Sequence, residues 1–292
     1  MVALTVAVTA CDKPVPDKGD EMIRFGVDGL KAEVLTKAYS ENTLSSVESA
    51  GFNIAGLVGS TAMFNDHASL SSSFWYPDSG PYYYPSSGTM DFYGVFPVSQ
   101  SISLSGSAAT LDYTQNADTD LLVARSHDVS ASESAVALTF DHALSLVRFN
   151  AVGSDPKALY KVKTIKITTP TSGTYNYGAN FAAETWTPGG ETAQLTYSST
   201  VTTLDGTTAI AGGMTVIPCT PTIYVEWDTY TLDGTSLVAS YSDSKALGSA
   251  LAKGVESTIT LTLPNADAVP IFFSVAVNPW GSASLSLDFS EE

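Results

Sequence analysis

The sequence has 292 residues, a hydrophobic fraction of 44% and a formal net charge of −17 at neutral pH. Its length and apolar content allow one large domain or two ordinary domains with buried cores, and a charged fraction of only 15% excludes a disordered polyelectrolyte. The acidic excess excludes a typical nucleic-acid-binding protein and disfavours adsorption to anionic lipid through a basic patch, because both need clustered Lys and Arg.

The first eleven residues predict a lipoprotein signal that ends in a lipidated cysteine. Residues 1–8 are mainly apolar, and Val8-Thr9-Ala10-Cys11 has the order of a bacterial lipobox. We therefore expect cleavage before Cys11 and attachment of its thiol to lipid in the outer membrane. The segment has no basic residue, unlike a full signal, so its true start stays open. Residues 12–21 lack an apolar period and predict a flexible tether.

Alternation of apolar and polar residues recurs along the rest of the chain and predicts an all-β protein. Clear examples are residues 136–140, 223–227 and 258–263. The small polar stretch 130–134 predicts a domain joint, so we expect an N-terminal β-sandwich over residues 22–130 and a C-terminal β-sandwich over residues 131–292. Helical periodicity is scarce and favours only short helices at 43–50 and 243–253.

An aromatic cluster in the first half has two interpretations. Trp75, Tyr76, Tyr82, Tyr83 and Tyr84 could form an exposed platform that stacks on sugar rings. Alternatively the same rings pack in strand cores and loops, because aromatic side chains bury a large area.

Catalytic and metal-binding patterns are weak in this sequence. His67, His127 and His142 are not spaced as metal ligands, and the run Asp118-Thr119-Asp120 is a short and unspecific candidate for Ca²⁺. No carboxylate pair of the kind that a hydrolase needs stands out. We therefore predict a protein that is not an enzyme and has no cofactor and no metal.

Four segments, in this order, resemble the fimbrillin family of Bacteroidales lipoproteins. They are TMDFYGVFP at residues 89–97, DLLVA at 120–124, VALTFDHALS at 136–145 and VAVNPW at 275–280. The resemblance implies two transthyretin-like (Greek-key) β-sandwiches in tandem. It also implies an assembly mechanism in which a trypsin-like protease removes the first strand, and a strand donated by another subunit fills the slot.

The sequence offers candidates for each part that the resemblance implies. The removable first strand corresponds to Met22, Ile23, Arg24, Phe25, Gly26 and Val27. The processing site corresponds to Lys37 in Thr36-Lys37-Ala38, where the family often has Thr-Arg-Ala, and an Arg-specific protease would not cut there. Residues 38–124 contain no Lys or Arg, so the next possible cut is at Arg125. Residues 284–292 fit either a donor strand or the last strand of the second sandwich.

Two functional hypotheses follow. The first is a fimbrial subunit or related adhesin, exported as an outer-membrane lipoprotein to a cell-surface fimbria, whose partners are other fimbrial subunits and an unknown receptor. The second is a monomeric glycan-binding surface lipoprotein that uses the aromatic platform.

Overall fold

The structure, a computed structural model, describes residues 21–30, 42–132, 134–179, 182–197, 202–204, 206–265 and 271–280. Over these residues the chain forms twenty β-strands and one short α-helix. Hydroxyl-bearing, β-branched and aromatic residues favour pleated strands over helices, which explains this balance. The prediction of a mainly β protein is confirmed.

The first part of the chain forms a closed barrel. Its elements are β1 (Phe25–Leu30), α1 (Leu44–Ala50), β2 (Phe52–Val58), β3 (Thr61–Ser71), β4 (Phe74–Pro77), β5 (Thr89–Phe96), β6 (Ser103–Ser105), β7 (Ala108–Thr114), β8 (Leu122–Ser130) and β9 (Val136–His142). Seven strands close in the order β1-β4-β3-β2-β5-β8-β9. The barrel encloses a core in which Phe25, Phe52, Phe92 and Phe140 are fully buried.

The later part of the chain forms a two-sheet sandwich, called here the second sandwich. The elements after β9 are β10 (Ser145–Gly153), β11 (Leu159–Pro170), β12 (Ser172–Asn176), β13 (Thr185–Pro188), β14 (Thr192–Thr196), β15 (Thr202–Leu204), β16 (Thr208–Val216), β17 (Thr222–Tyr230), β18 (Leu237–Ala246), β19 (Val255–Leu263) and β20 (Phe272–Pro279). Its sheets are β16-β10-β19-β20 and β14-β11-β17-β18, and β15 also pairs with β11. Ile259, Leu261 and Leu263 of β19 are buried in the shared core, so the predicted alternation is confirmed.

A further sheet, β13-β12-β7-β6, links the two parts, because β7 pairs with β12 through Leu111 opposite Tyr175. Its apolar side chains share a core with residues on the outer side of the barrel. On β5, Phe92 belongs to the barrel core, whereas the adjacent Tyr93 belongs to this second core. A barrel strand that is buried on both faces, such as β5, therefore has a continuously apolar sequence rather than an alternating one.

The stretch 130–134, where we expected the domain joint, leads from β8 into β9 instead. β9 pairs with β8 and lies parallel to β1, so it is a barrel strand although it begins at Val136. The chain leaves the barrel after His142, and the β12–β13 hairpin returns to the first part. The expected boundary at residue 130 therefore does not divide the sheets, since strands on either side of it pair with one another.

The two predicted helices have different outcomes. The helix at 43–50 is confirmed as α1, with the backbone N–H of Thr43 donating to Ser46 Oγ at 3.2 Å and Val47 packed in the barrel core. The helix at 243–253 is wrong, because residues 243–246 belong to β18, which pairs with β17 along its length. Pairing with β17 satisfies the backbone hydrogen bonds of residues 243–246, whose local sequence pattern does not distinguish a helix from a strand.

Candidate functional site

The predicted removable strand forms part of the barrel wall. β1 lies parallel to β9 over five residue pairs, from Phe25 opposite Val136 to Leu30 opposite Phe140. On its other side it meets β4 antiparallel at a single pair, Phe25 opposite Trp75. Just before β1, the N–H of Ile23 donates to the carbonyl of Tyr82 at 2.8 Å. The strand is thus well paired on the β9 side and sparsely paired on the β4 side.

Side chains of this segment alternate between the core and the surface. Ile23, Phe25 and Val27 are at most 4% exposed, whereas Met22 is 41% exposed. The Phe25 ring meets Phe92 edge-on, with centroids 5.3 Å apart. Burying three such side chains contributes on the order of 5–9 kcal/mol as an upper estimate. The segment therefore seals the barrel core, and its removal would open an apolar slot.

A small cavity of about 170 Å³ lies at the seam between β1 and β4. Val27 and Gly26 of β1 line one side, Phe74 and Trp75 of β4 the other, and Leu44 of α1 closes the end. β1 and β4 share one residue pair and the segment before β1 adds the Met22–Tyr83 bridge, so backbone pairing on this side is sparser than along β9.

Two arginines that a trypsin-like protease could recognise are held in strand structure. The carbonyl of Arg24 accepts the N–H of Val136 at 2.8 Å, and its guanidinium lies 4.5 Å from the centre of the Phe74 ring. Arg125 in β8 donates from Nη1 to the carbonyls of Tyr177 and Ala182, and its Nε lies 3.3 Å from Glu184. The Arg24 backbone is thus hydrogen-bonded to β9, and the Arg125 side chain is held by the connection between β12 and β13, so the fold keeps both residues out of a protease active site. Lys37, the predicted processing site, lies outside the described residues, as do Cys11 and residues 284–292.

Four of the five rings of the aromatic cluster pack inward, as in the second of the two interpretations. Trp75 and Tyr84 are 5% and 3% exposed and belong to the barrel core. Tyr82 is stacked on Phe64 with centroids 4.5 Å apart, and Tyr76 is half-buried in β4. Tyr83 alone of the five is exposed. Burial of large aromatic rings against the barrel core is more favourable than their exposure to water, so the rings pack inward.

A buried polar cluster at the end of the barrel escaped the sequence analysis. His142 Nδ1 lies 2.9 Å from Asp120 Oδ1, and the imidazole stacks on Trp280 at 3.9 Å. Asp120 also accepts the backbone N–H of Asn42, at 3.1 Å. The cluster therefore joins the start of α1, the end of the barrel and the end of β20. Asp120 and Trp280 both lie in the segments used for the family resemblance, but nothing in the sequence pairs them.

These buried groups are arranged for structure rather than for catalysis. Asp120 is fully buried and His142 only 2% exposed, so neither reaches a substrate in solvent. Asp118 is exposed while Asp120 points into the cluster, so the two do not form a Ca²⁺ site. Among the described ranges, no group of three or more His, Cys, Asp or Glu side chains is placed to hold a metal ion.

The other two histidines pair with carboxylates near the surface. His67 Nδ1 lies 2.7 Å from Asp78 Oδ2, and Nε2 lies 2.9 Å from the carbonyl of Ala50 at the end of α1. Burial lowers the pKa of His67, but the hydrogen bonds to Asp78 and Ala50 and the charge of Asp78 together raise it above its ordinary value. His127 Nδ1 lies 3.3 Å from Asp91.

Comparison with protein families gives a match that covers most of the chain. A family model described as fimbrillin-like matches residues 40–280. Among proteins with curated descriptions, none matches this sequence. No helix within the described residues is both long enough and apolar enough to cross a membrane.

Solved structures share the fold at low sequence identity. A fimbrial protein from Bacteroides vulgatus superposes with a TM-score of 0.65 and 16% identity, over 88% of this chain and 99% of that one. A candidate cell adhesion protein from Bacteroides uniformis gives a TM-score of 0.52 and 18% identity, over 91% of this chain and 99% of that one. At this identity the likeness concerns the fold alone.

Proposed function

This chain belongs to the fimbrillin-like family, and we propose that it is a fimbrial subunit assembled by protease-triggered strand exchange. As a member of that family it is a non-enzymatic fimbrial or cell-adhesion protein of the Bacteroidales cell surface. In this proposal the chain is exported as an outer-membrane lipoprotein through Cys11. The barrel and the second sandwich correspond to the two tandem transthyretin-like domains that the family resemblance implies.

One observation carries the proposal, namely the position of β1. Residues 22–27 fill the barrel core with Ile23, Phe25 and Val27, yet β1 itself meets β4 at one residue pair. A cut at Lys37 would leave it attached only by non-covalent contacts. Its loss would expose the unpaired edges of β4 and β9 beside an apolar slot, and strand addition satisfies such edges.

The slot also specifies what a donor must look like. A replacement strand has to run parallel to β9 and place three apolar side chains at alternate positions, where Ile23, Phe25 and Val27 lie. In this chain Leu285, Leu287 and Phe289 have the same spacing. The segment 284–292 of a neighbouring subunit is therefore a suitable donor, and head-to-tail donation of this kind builds a filament because it does not close.

Limited trypsin digestion of the purified folded chain tests this proposal. We expect a stable product that begins at Ala38, loss of the peptide that contains β1, and high-mass species in size-exclusion chromatography. A synthetic peptide of residues 281–292 should bind the cut protein and not the intact protein, because β1 occupies the slot until it is removed.

Two matched variants locate the cut. Lys37→Gln should abolish the product that begins at Ala38, whereas Lys31→Gln should leave that product unchanged. The reverse result would move the processing site to Lys31. If cleavage after Lys37 releases β1 cleanly and the product neither polymerises nor binds the peptide, strand exchange is not its assembly mechanism.

Lipidation requires a separate test. Expression of the full gene with labelled fatty acid should label the wild-type protein and not Cys11→Ser, and only the wild-type protein should sediment with outer membrane. Equal labelling of the variant would contradict lipidation at Cys11.

A further inference from the structure

The strand β20 of the second sandwich has an open edge. It lies at one side of the sheet β16-β10-β19-β20, and within the described residues it pairs with β19 alone. Natural proteins usually protect such an edge with charged side chains, with proline or with a covering segment, because unpaired N–H and C=O groups recruit other strands. Residues 271–280 contain no charged residue, and Pro279 stands only at the end of β20. The edge is therefore not protected by the sequence of β20.

The core-facing side chains of β20 are also incompletely covered. Phe273, Val275 and Val277 lie opposite residues 261, 259 and 257 of β19, whose side chains are at most 2% exposed. Phe273 and Val275 are nonetheless only half-buried, and Val277 is 62% exposed. The core of the second sandwich is thus open along this edge, and its least covered position lies just before Trp280, from which residues 281–292 continue.

The other end of β20 is held by β18. Asp243 accepts the backbone N–H of Ile271 at 3.0 Å, and Lys245 Nζ donates to the carbonyl of Ile271 at 3.2 Å. Ile271 is fully buried, and the Lys245 ammonium group also lies 5.3 Å from the centre of the Phe272 ring. The carboxylate of Asp243 therefore binds the backbone rather than the ammonium group, and among the described residues Lys245 forms no ion pair.

Residues 284–291 have the pattern and the length of a strand that would cover this edge. Leu285, Leu287 and Phe289 alternate with polar residues, as a strand with one buried face requires. Eight extended residues span about 26 Å, and β20 also has eight residues. The small residues Gly281, Ser282 and Ala283 come directly after Trp280, and residues of this kind suit a reversal of chain direction.

We propose that residues 284–291 dock on β20 of the same chain as an antiparallel strand before assembly. A reversal over residues 279–283 brings the apolar residues 285, 287 and 289 opposite residues 277, 275 and 273, on the core face. In the same register Glu291 falls opposite Ile271, next to Lys245. A register displaced by one residue would turn the apolar row outward, so the hydrophobic pattern and the position of Lys245 select the same alignment.

The chain's own segment is a better occupant of the edge than a second copy. A segment joined to β20 by a short connection has an effective concentration on the order of millimolar, far above that of a neighbouring molecule in dilute solution. Docking within the chain also covers Val277, the most exposed of the three core-facing side chains, with the residue nearest to the reversal.

Docking on β20 would withhold the donor strand until assembly. The three apolar side chains of residues 284–291 cover the second sandwich in the unassembled subunit, and they would fill the barrel of the next subunit in the fibre. Because they cannot occupy both places, an opened barrel has to compete with β20 for the segment. This consequence rests on the proposed function, whereas the docking itself does not.

Hydrogen exchange in the purified, uncut, full-length chain tests this inference, followed by mass spectrometry with fragmentation to single residues. In wild type, the β20 amides that point away from β19 should be protected. Leu285→Ser/Leu287→Ser/Phe289→Ser should speed their exchange by about tenfold or more, because the edge becomes free, and should leave β17 unchanged. The matched control Ser284→Thr/Ser286→Thr alters the opposite face of the segment and should leave β20 protected.

A synthetic peptide of residues 281–292 gives an independent measurement on uncut protein. It should bind the triple serine variant, whose β20 edge is free, and should not bind wild type, whose edge is occupied. The charge contact has its own test, in which Glu291→Lys/Glu292→Lys speeds exchange in β20 and the further change Lys245→Glu restores part of the protection.

Equal exchange of the β20 edge amides in wild type and in the triple serine variant would overturn the inference. So would equal loss of protection in the matched control, or failure of the peptide to bind the triple variant. Protection that falls on dilution, together with a dissociating dimer in sedimentation, would assign the covering strand to a second copy and would overturn docking within one chain. None of these measurements needs cleavage at Lys37, so the inference can fail while strand exchange stands.

Discussion

The barrel and the second sandwich bury their cores in different ways. Strands of the barrel such as β5 are buried on both faces, and the barrel is sealed laterally by β1. Strands of the second sandwich such as β19 bury one face, as the alternation of Thr258, Ile259, Thr260 and Leu261 shows. The barrel thus depends on one strand near the start of the chain, whereas the described strands of the second sandwich all lie after residue 144.

This difference suggests that each region can lose stability without the other. The two are nevertheless joined by the sheet β13-β12-β7-β6 and by the cluster of Asp120, His142 and Trp280. The following substitutions separate these contributions, beginning with the one that we expect to have the largest effect.

Phe25→Ala should destabilise the barrel by about 3–5 kcal/mol, because it leaves a cavity between Phe52 and Phe92. Hydrogen exchange measured by mass spectrometry should become faster in β9 and stay unchanged in β19. Met22→Ala, at an exposed position of the same segment, should change stability by about 0.5 kcal/mol or less. Equal acceleration in β9 and β19 would show that the two regions unfold as one unit.

Asp120→Asn should cost about 1–3 kcal/mol, since it weakens the buried contacts with His142 and Asn42 while keeping the side-chain shape. Because this cluster lies between the regions, hydrogen exchange should increase at its contacts in both α1 and the end of β20. The matched variant is Asp118→Asn, an exposed aspartate two residues away. An effect confined to the barrel would mean that Asp120 does not couple the two parts.

His67→Gln should have the smallest effect, below about 1 kcal/mol, because the side chains of His67 and Asp78 are 32% and 48% exposed. The folded-state pKa of His67 is raised above its unfolded value of about 6.5. Its stabilising contribution is therefore fully present below about pH 6.5 and is lost as pH rises through the folded-state pKa.

Urea unfolding of wild type and His67→Gln at several pH values measures this contribution. Their difference should be larger near pH 6 than at pH 9, and it should nearly vanish when Asp78→Asn is present in both. A difference that grows as pH rises would contradict the assigned sign.

The second sandwich was largely predictable from sequence because its strands alternate, as in residues 223–227 and 258–263. The barrel was not. Its closure depends on pairing between β1 and β9, and a local sequence pattern does not predict a pairing partner so distant along the chain. The run from Phe92 to Phe96 has apolar side chains directed into two cores, so its periodicity does not show which face is inside.

The wrong predictions have the same origin. The sequence left a platform and core packing open for Trp75 and Tyr84, because it does not reveal the barrel core against which they pack. Residues 130–134 have the composition of a linker, but a connection between two paired strands can have the same small polar composition. The role of Asp120 depends on Asn42, His142 and Trp280, which meet only in the folded chain.

The parallel pairing of β1 with β9 also has a kinetic consequence. Phe25 and Val136 are partners although more than a hundred residues separate them, and contacts between such distant residues form late and slow folding. Because synthesis proceeds from the N-terminus, β1 is made before β9, and the barrel cannot close until β9 is available to pair with it. Removal of β1 from a finished subunit would therefore leave the six other barrel strands in the order β4-β3-β2-β5-β8-β9, all of them paired to a neighbour without it.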